Sequence, residues 1–468
     1  MKSKVVSSIR EAVELAGLRD GMTVSFHHHL RNGDYVLNTV MDQIADMGIK
    51  ELTVNASSLF ACHKPILGHI KNRVIAKILT NYMAEEVGRE ISCGIMDRAV
   101  EFRTHGGRPS DIASGRTPID VAFIAAPISD PLGNCSGKYG KSACGSLGYA
   151  FADAMYANKV VIITDELASY PLMDWSIEET CVDYVVKVDA IGDPAGIVSG
   201  TTRITRDPVG LVMAEQAALV IRHSGLLKEG FSFQTGAGGA SLAASKFLKE
   251  IMLKENIRGS FGLGGITGYL VDMLHAGCFE KLLDVQCFDL DAVESIRKDP
   301  RHQEISAEHY ASPGAKSAVV DSLDVVILGA AEIDTDFNVN VHTDSNGYIM
   351  GGSGGHSDTA AGAKLAMIIA PIQRARMPIV TDRVTCISTP GRDVDVLVTQ
   401  AGIAVNPENA ELKDRLVDAG LNIVSIHDLK KKAERLTGTP KKPMMGSREV
   451  GKVIYRDGSL LDTIYSVR

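Results

Sequence analysis

The decapeptide GLRDGMTVSF at 17–26 returns as GLLKEGFSFQ at 225–234, and this internal repeat limits the folds open to the chain more than any other feature. In both copies a helix end and a turn glycine (Gly21, Gly230) lead into a strand. A helix and a second strand opened by Ile49-Lys50 or Ile257-Arg258 follow. Further on, PIDVAFIAA (118–126) matches SLDVVILGA (322–330), which sets Asp120 against Asp324. Three ordered matches at nearly one offset mark a duplicated unit rather than the loose self-resemblance of any α/β chain. Short β-rich runs such as MTVSF (22–26), ELTVNA (51–56), VVIIT (160–164) and DVLVTQ (395–400) alternate with helical stretches over 35–47, 210–226 and 241–255. That alternation predicts mainly parallel sheets covered by helices. The expected fold class is α/β, with two homologous domains joined near Pro208, residues 1–208 and 209–468.

The length of 468 residues exceeds what one hydrophobic core serves, in keeping with two units. A hydrophobic share of 45% and a charged share of 23% belong to a globular chain and exclude a disordered or fibrous one. With 49 basic and 57 acidic residues the formal charge is −8, which argues against chain-wide attraction to nucleic acid or anionic lipid. The eight cysteines form no CxxC pair and read as reduced thiols, and no four-ligand zinc pattern is written. The N-terminus reads as an amphipathic helix (Val6, Ile9, Val13, Leu15), because Ser7, Ser8, Arg10 and Glu11 interrupt any signal-peptide core. No apolar run approaches the ~18 residues of a membrane span. A cytoplasmic protein without nucleic-acid or membrane partners is expected.

Glycines cluster where strands should hand over to helices. In FQTGAGGASLA (233–243) a strand ends at Gln234, the segment Thr235, Gly236, Ala237, Gly238 and Gly239 turns the chain, and Ser241 is placed to cap the next helix. Glycine lets backbone N–H groups approach a ligand, and a helix N-terminus favours negative charge. A dinucleotide fingerprint fails because Ser241 stands where GxGxxG needs its last glycine, and Glu255 precedes the next strand instead of following it. An acyl-thioester cradle and a plain tight turn are the readings left. SGKYGKS (136–142) imitates a phosphate loop, but Cys135 holds the position of its first glycine. Lys138 and Lys141 are then either solvated or contacts for an anion.

FHHHLRNGD (26–34) follows the first strand. In extended chain adjacent side chains point to opposite faces, so at most His27 and His29 converge; without a carboxylate at ligand spacing, no metal site is expected. The alternatives are a structural loop and a polar pocket at a strand's C-terminal end, where open α/β sheets place their sites. In the pocket reading His27, His29 and Arg31 receive carboxylates, the arginine through two parallel hydrogen bonds.

The segment 327–358 carries the sharpest signal. A buried strand runs out through Gly329, Ala330 and Ala331 to a single carboxylate, Glu332, followed by Asn338, Asn340, Asn346 and the glycines Gly351, Gly352, Gly354 and Gly355. Charged residues after an apolar strand are often only solvated strand ends. Beside glycine-rich backbone donors, however, an ionised carboxylate can attack a thioester carbonyl while N–H groups stabilise the developing oxyanion.

FQTGAGG (233–239), AAEID (330–334), GSGGHSD (352–358) and VTQAGIA (398–404) occur in that order, and the series resembles the CoA-transferase superfamily. Over its whole length, including HHHLRNGD, GGRPSDIASGRTPIDVAFIAAP (106–127) and DPLGNCSGKYGKSACGSLGYA (130–150), the chain is similar to the citrate lyase alpha subunit family. The resemblance implies two NagB/CoA-transferase-like domains and citrate:acyl-carrier-protein transferase activity, in which acetyl is exchanged for citryl on a CoA-like thioester arm. It implies no cofactor on this chain. The prosthetic arm belongs to an acyl-carrier (gamma) partner, a lyase (beta) subunit cleaves the citryl thioester, and an oligomer is expected. Glu332 matches the nucleophilic Glu of the acetate- and butyrate-type branch. By contrast, Ser345-Asn346-Gly347 lacks the Glu of another branch, and Gln400 stands where VTExGxA has Glu. The family is grouped with transferases in which citrate itself attacks the thioester, so Glu332 acts by attack or by orientation. The expected site sets Thr235, Gly236, Ala237, Gly238, Gly239, Asn346, Gly352, Gly354 and Gly355 against the acyl-thioester arm, and His27, His29 and Arg31 against citrate. An acetyl-CoA hydrolase, or a CoA-transferase using free CoA and a simple carboxylate, would share the second-half motifs. A non-catalytic scaffold subunit would have no need of Glu332 or the glycine clusters.

Overall fold

The computed structural model describes residues 2–198, 203–441 and 443–468. The first helix, Ile9–Ala16, forms because Ser8 accepts a hydrogen bond from the Glu11 N–H at 3.1 Å and Gly17, with φ 70°, ends it in the left-handed region. Ile9, Ala12 and Val13 are buried, whereas Leu15, expected on the apolar face, is 49% exposed.

Two sheets form the frame. In the first, parallel strands lie in the order Val5–Val6, Tyr184–Lys187, Lys159–Thr164, Val121–Ala125, Thr23–Phe26, Leu52–Ala56, Ile75–Thr80 and Val100–Phe102. Val121–Ala125 is buried at every position, as expected of a continuous apolar run covered on both faces. The second sheet has eight strands in the order His302–Glu304, Phe279–Cys287, Gly259–Ile266, Ser232–Thr235, Val325–Leu328, Leu365–Ile369, Val396–Thr399 and Gly402–Val405, parallel except for the last pair.

The duplicated sequence is a duplicated structure. Thr23–Phe26 lies between Val121–Ala125 and Leu52–Ala56, and Ser232–Thr235 lies between Val325–Leu328 and Gly259–Ile266. Asp120 accepts the Thr23 N–H at 2.8 Å, and Asp324 accepts the Ser232 N–H at 2.9 Å. The turn glycines also agree. Gly21 (φ 80°) donates to the Lys50 carbonyl at 3.1 Å, and Gly230 (φ 82°) donates to the Arg258 carbonyl at 2.9 Å. A residue with a Cβ would be strained at both positions.

Sheet membership departs from a single cut at Pro208. The antiparallel hairpin Met445–Ile454 and Leu460–Val467 pairs its first strand in parallel with Val100–Phe102 and completes the first sheet as its ninth and tenth strands. The edge that a terminal strand joins is set by contacts hundreds of residues away, which leave no mark on local periodicity.

Candidate active site

The repeat brings two equivalent strand ends, those of Thr23–Phe26 and Ser232–Thr235, to the seam between the halves. The chain leaves Phe26 through His27, His28 and His29 and turns at Arg31, whose φ of 52° breaks the extended alternation. The His28 carbonyl accepts a hydrogen bond from Gln286 Nε2 of the second half at 2.7 Å. The Arg31 guanidinium carbon lies 5.4 Å from the Phe60 ring centroid and 4.7 Å from that of Phe288, again one from each half.

His27 and His29 do converge, but on each other: their Nδ1 atoms are hydrogen-bonded. His27 Nε2 accepts the Ala125 N–H at 3.0 Å, and His29 Nε2 lies 3.3 Å from the Tyr149 nitrogen. Both rings are buried, and desolvation pushes the pKa of His27 down to about 4, so it is neutral near pH 7. His28, which extended geometry assigns to the opposite face, stacks 4.7 Å from Tyr149 and 5.6 Å from His105. Arg108 sits in the same region, its guanidinium forked onto both Asp153 oxygens at 2.7 Å and onto Asn55 Oδ1 at 2.8 Å.

At the second strand end, Gly236 donates to the Ile327 carbonyl at 2.8 Å and the turn opens to solvent, with Gly238 exposed. Gly238 is the N-cap of the helix Gly239–Glu255 and provides no side-chain hydrogen bond. Ser241 does not cap this helix; it is buried in the first turn, two residues inside it. Among the described residues no side chain caps the first N–H groups of this 17-residue helix, a setting suited to an anionic or polar ligand group.

Glu332 opens the short strand Glu332–Asp334 and is 3% exposed. Its Oε2 accepts the Thr385 N–H at 2.8 Å and Asn340 Nδ2 at 2.9 Å, while Oε1 accepts the Thr385 hydroxyl at 3.2 Å. It lines a pocket of about 180 Å³ together with Ser345, Thr381, Arg383, Thr385 and Lys441. Three residues earlier, Gly329 has open space where a Cβ would stand, and its carbonyl accepts from His356 Nε2 at 2.9 Å. Along the chain Glu332 follows the strand Val325–Leu328, whose Ile327 carbonyl takes the Gly236 N–H.

Other nominated residues serve elsewhere. A Cβ at Gly352 would lie 2.2 Å from the Asn81 carbonyl oxygen, and one at Gly355 would lie 2.6 Å from the Tyr310 hydroxyl. The Gly354 N–H donates to the Asn81 carbonyl at 3.2 Å, and its own carbonyl accepts the His105 N–H at 2.8 Å. Gly352 and Gly354 let the two halves approach, Gly355 makes room for Tyr310 within the second half, and the Gly354 N–H is taken up by the Asn81 contact. Asp358, two residues past His356, accepts the Thr104 hydroxyl and the Gly106 N–H, both at 2.8 Å, and burial pushes its pKa up to about 6. Asn346 stands at the exposed tip of a turn in which Asp344 accepts the Asn346 and Tyr348 N–H groups. Lys138 pairs with Asp174 at 2.6 Å and is not a free anion contact. Sequence reasoning missed His28, His105, Tyr149, Tyr310, Phe288 and Asp358 because each enters the seam from a different segment. Among the described residues, no three His, Cys, Asp or Glu side chains converge to hold a metal ion, and no helix is long and apolar enough to cross a membrane.

A doubled α/β frame of mainly parallel strands covered by helices defines a CoA-transferase-like fold. Its fold is shared, at 16% identity, with the malonate decarboxylase alpha subunit of Acinetobacter baumannii (TM-score 0.69, covering 94% of this chain and 93% of that one) and with 4-hydroxybutyrate CoA-transferase of Porphyromonas gingivalis (TM-score 0.59, 92% and 97%). The chain belongs to the citrate lyase alpha subunit family, whose sequence pattern matches residues 2–467. It is 50% identical to the citrate lyase alpha chain of Klebsiella pneumoniae over 465 residues, 99% of this chain and 92% of that one. A solved citrate lyase alpha subunit from Streptococcus mutans, in complex with citrate, superposes with a TM-score of 0.98 at 49% identity, covering 100% and 92% of the two chains. As a member of this family the chain is a transferase of the citrate lyase complex.

Proposed function

We propose that this subunit exchanges acetyl for citryl on a CoA-like arm borne by an acyl-carrier (gamma) partner and passes the citryl thioester to a lyase (beta) partner. The observation that carries the reading is the citrate held by the Streptococcus mutans relative, whose backbone this chain matches over its full length. A citrate carboxylate attacks the acetyl thioester carbonyl, the C–S bond breaks, and a mixed anhydride and a thiolate form. The thiolate then attacks the citryl carbonyl and acetate leaves. In this reading Arg31 takes a citrate carboxylate, the Thr235–Gly239 turn takes the thioester arm, and Glu332 acts on the acyl group by attack or by orientation. Exchange measured with citrate against acetyl-carrier protein and acetyl-CoA tests the reading. Turnover with the carrier protein supports it, and turnover confined to hydrolysis of free acetyl-CoA overturns it.

Two predictions follow from the chemistry. Arg31→Ala is expected to weaken citrate about ten- to hundred-fold, the cost of one charged hydrogen-bond partner, while the KM for the thioester donor stays within about two-fold. Equal losses for both substrates would mean a folding defect. Exhaustive chelation is expected to leave exchange unchanged, since one thioester is traded for another and no three ligand side chains converge among the described residues. Activity lost to chelation and restored by one metal would reverse that expectation.

A further inference from the structure

Among the buried polar atoms of the seam that have no hydrogen-bond partner among the described residues are Nδ1 of His105 and Oε1 of Gln234, one from each half. Leaving such atoms unpaired is costly, so an unpaired set at a seam points to a ligand group that completes it. Both side chains border the same two-residue stretch, His105 directly and Gln234 through Tyr310. His105 Nε2 lies 3.2 Å from where a Cβ would stand on Gly354. The Gln234 Nε2 donates to the Tyr310 hydroxyl at 2.8 Å, and that hydroxyl lies 2.6 Å from the Cβ position of Gly355. Gln234 also closes on Gly264, whose neighbour Gly265 packs against Phe288, the ring beside Arg31. The two orphaned atoms and the guanidinium are therefore linked through one chain of close contacts around the seam.

Both side chains are held in place. Gln234 is 6% exposed at the end of its strand. His105 is flanked by Thr104 and Gly106, both clamped by Asp358, and its ring lies 4.4 Å from Tyr149. Desolvation, with Arg108 nearby, pushes its pKa down to about 3, so the ring is neutral and offers one donor and one acceptor. A carboxylate, which only accepts, would leave Gln234 Oε1 unpaired. A hydroxyl donates and accepts at once. It can give its proton to Gln234 Oε1 and take the Nδ1–H of His105.

We infer that His105 and Gln234 are specificity-determining residues that recognise the tertiary hydroxyl of the carboxylate substrate. This inference rests on citrate being that substrate. Arg31 takes a carboxylate, and the hydroxyl pair selects a 2-hydroxy acid over its deoxy counterpart. A site built to bond a hydroxyl rejects the analogue lacking it far more strongly than an apolar pocket rejects a size change, because its own polar groups are then stranded.

The experiment compares citrate with propane-1,2,3-tricarboxylate, its deoxy analogue, by calorimetric binding and by kcat/KM in acyl exchange. The intact enzyme is expected to prefer citrate by about 100-fold or more, and Gln234→Met or His105→Phe to reduce the preference to below about ten-fold, mainly by weakening citrate. Each variant lies on a different half, so a folding failure in one leaves the other to decide, and circular dichroism reports the fold. A preference unchanged in a folded variant, or no preference in the intact enzyme, overturns the assignment. Citrate bound with preference but never acylated leaves the assignment standing and removes the transferase reading. Citrate neither bound nor acylated removes both.

Discussion

Glu332→Gln is expected to lower kcat about 10²- to 10³-fold while leaving the fold and the binding of both substrates intact. The hydrogen bonds around the carboxylate explain why the substitution is structurally mild. Oε2 takes two N–H donors, from Thr385 and Asn340, so the amide oxygen must occupy that position. The amide NH₂ then falls at Oε1, whose one partner among the described residues is the Thr385 hydroxyl, which can rotate and accept. What the substitution removes is the charge and the free lone pair of Oε1, either of which acyl transfer can use. Loss of one preorganised catalytic group costs about 10²- to 10³-fold. A separate incubation of the intact enzyme with acyl thioester alone distinguishes the roles. A borohydride-reducible adduct at Glu332 assigns attack to this carboxylate. Lost turnover without an adduct assigns positioning for direct attack by citrate. A fully active Glu332→Gln enzyme removes the residue from the mechanism.

Asp153→Ala is expected to destabilise the first half by about 3–5 kcal/mol, the range for stranding one partner of a buried ion pair. Arg108 is 4% exposed and Asp153 1% exposed, and the fork between them is bidentate at 2.7 Å. With Asp153 gone, the guanidinium keeps only Asn55, through its Oδ1 at 2.8 Å and its carbonyl at 3.3 Å. Replacing both residues together, as Arg108→Met with Asp153→Leu, is expected to recover much of the loss, since no buried charge is then left uncompensated. Urea unfolding followed by far-UV circular dichroism measures the difference. A loss below about 1 kcal/mol for Asp153→Ala would show that water or backbone already solvates Arg108.

The frame was legible because its signals are short-range. Gly21 and Gly230 announce positive φ, and Asp120 and Asp324 bond to the first N–H of the neighbouring strand in each copy. Apolar runs bounded by turns mark the parallel strands between them. Glu332 and the turn at Gly236–Gly239 were also readable, since each lies within a few residues of the strand that presents it. Ser241 shows the limit of that reasoning. It has a capping residue's chemistry, but the helix begins two residues earlier, at Gly239.

What the sequence determined by itself is the duplicated α/β unit and the strand ends where chemistry can sit, because periodicity and backbone conformation are set by adjacent residues. What only the tertiary structure decided is which strand ends meet and what fills the seam. It alone closes Asp358 onto Thr104 and Gly106, sets Gly352 against Asn81, turns the C-terminal hairpin onto the first sheet, and sets His105 against Gly354 and Gln234 against Tyr310. Those contacts join segments up to about 350 residues apart, and they follow from packing two sheets and their helices into one solid, which no local pattern records.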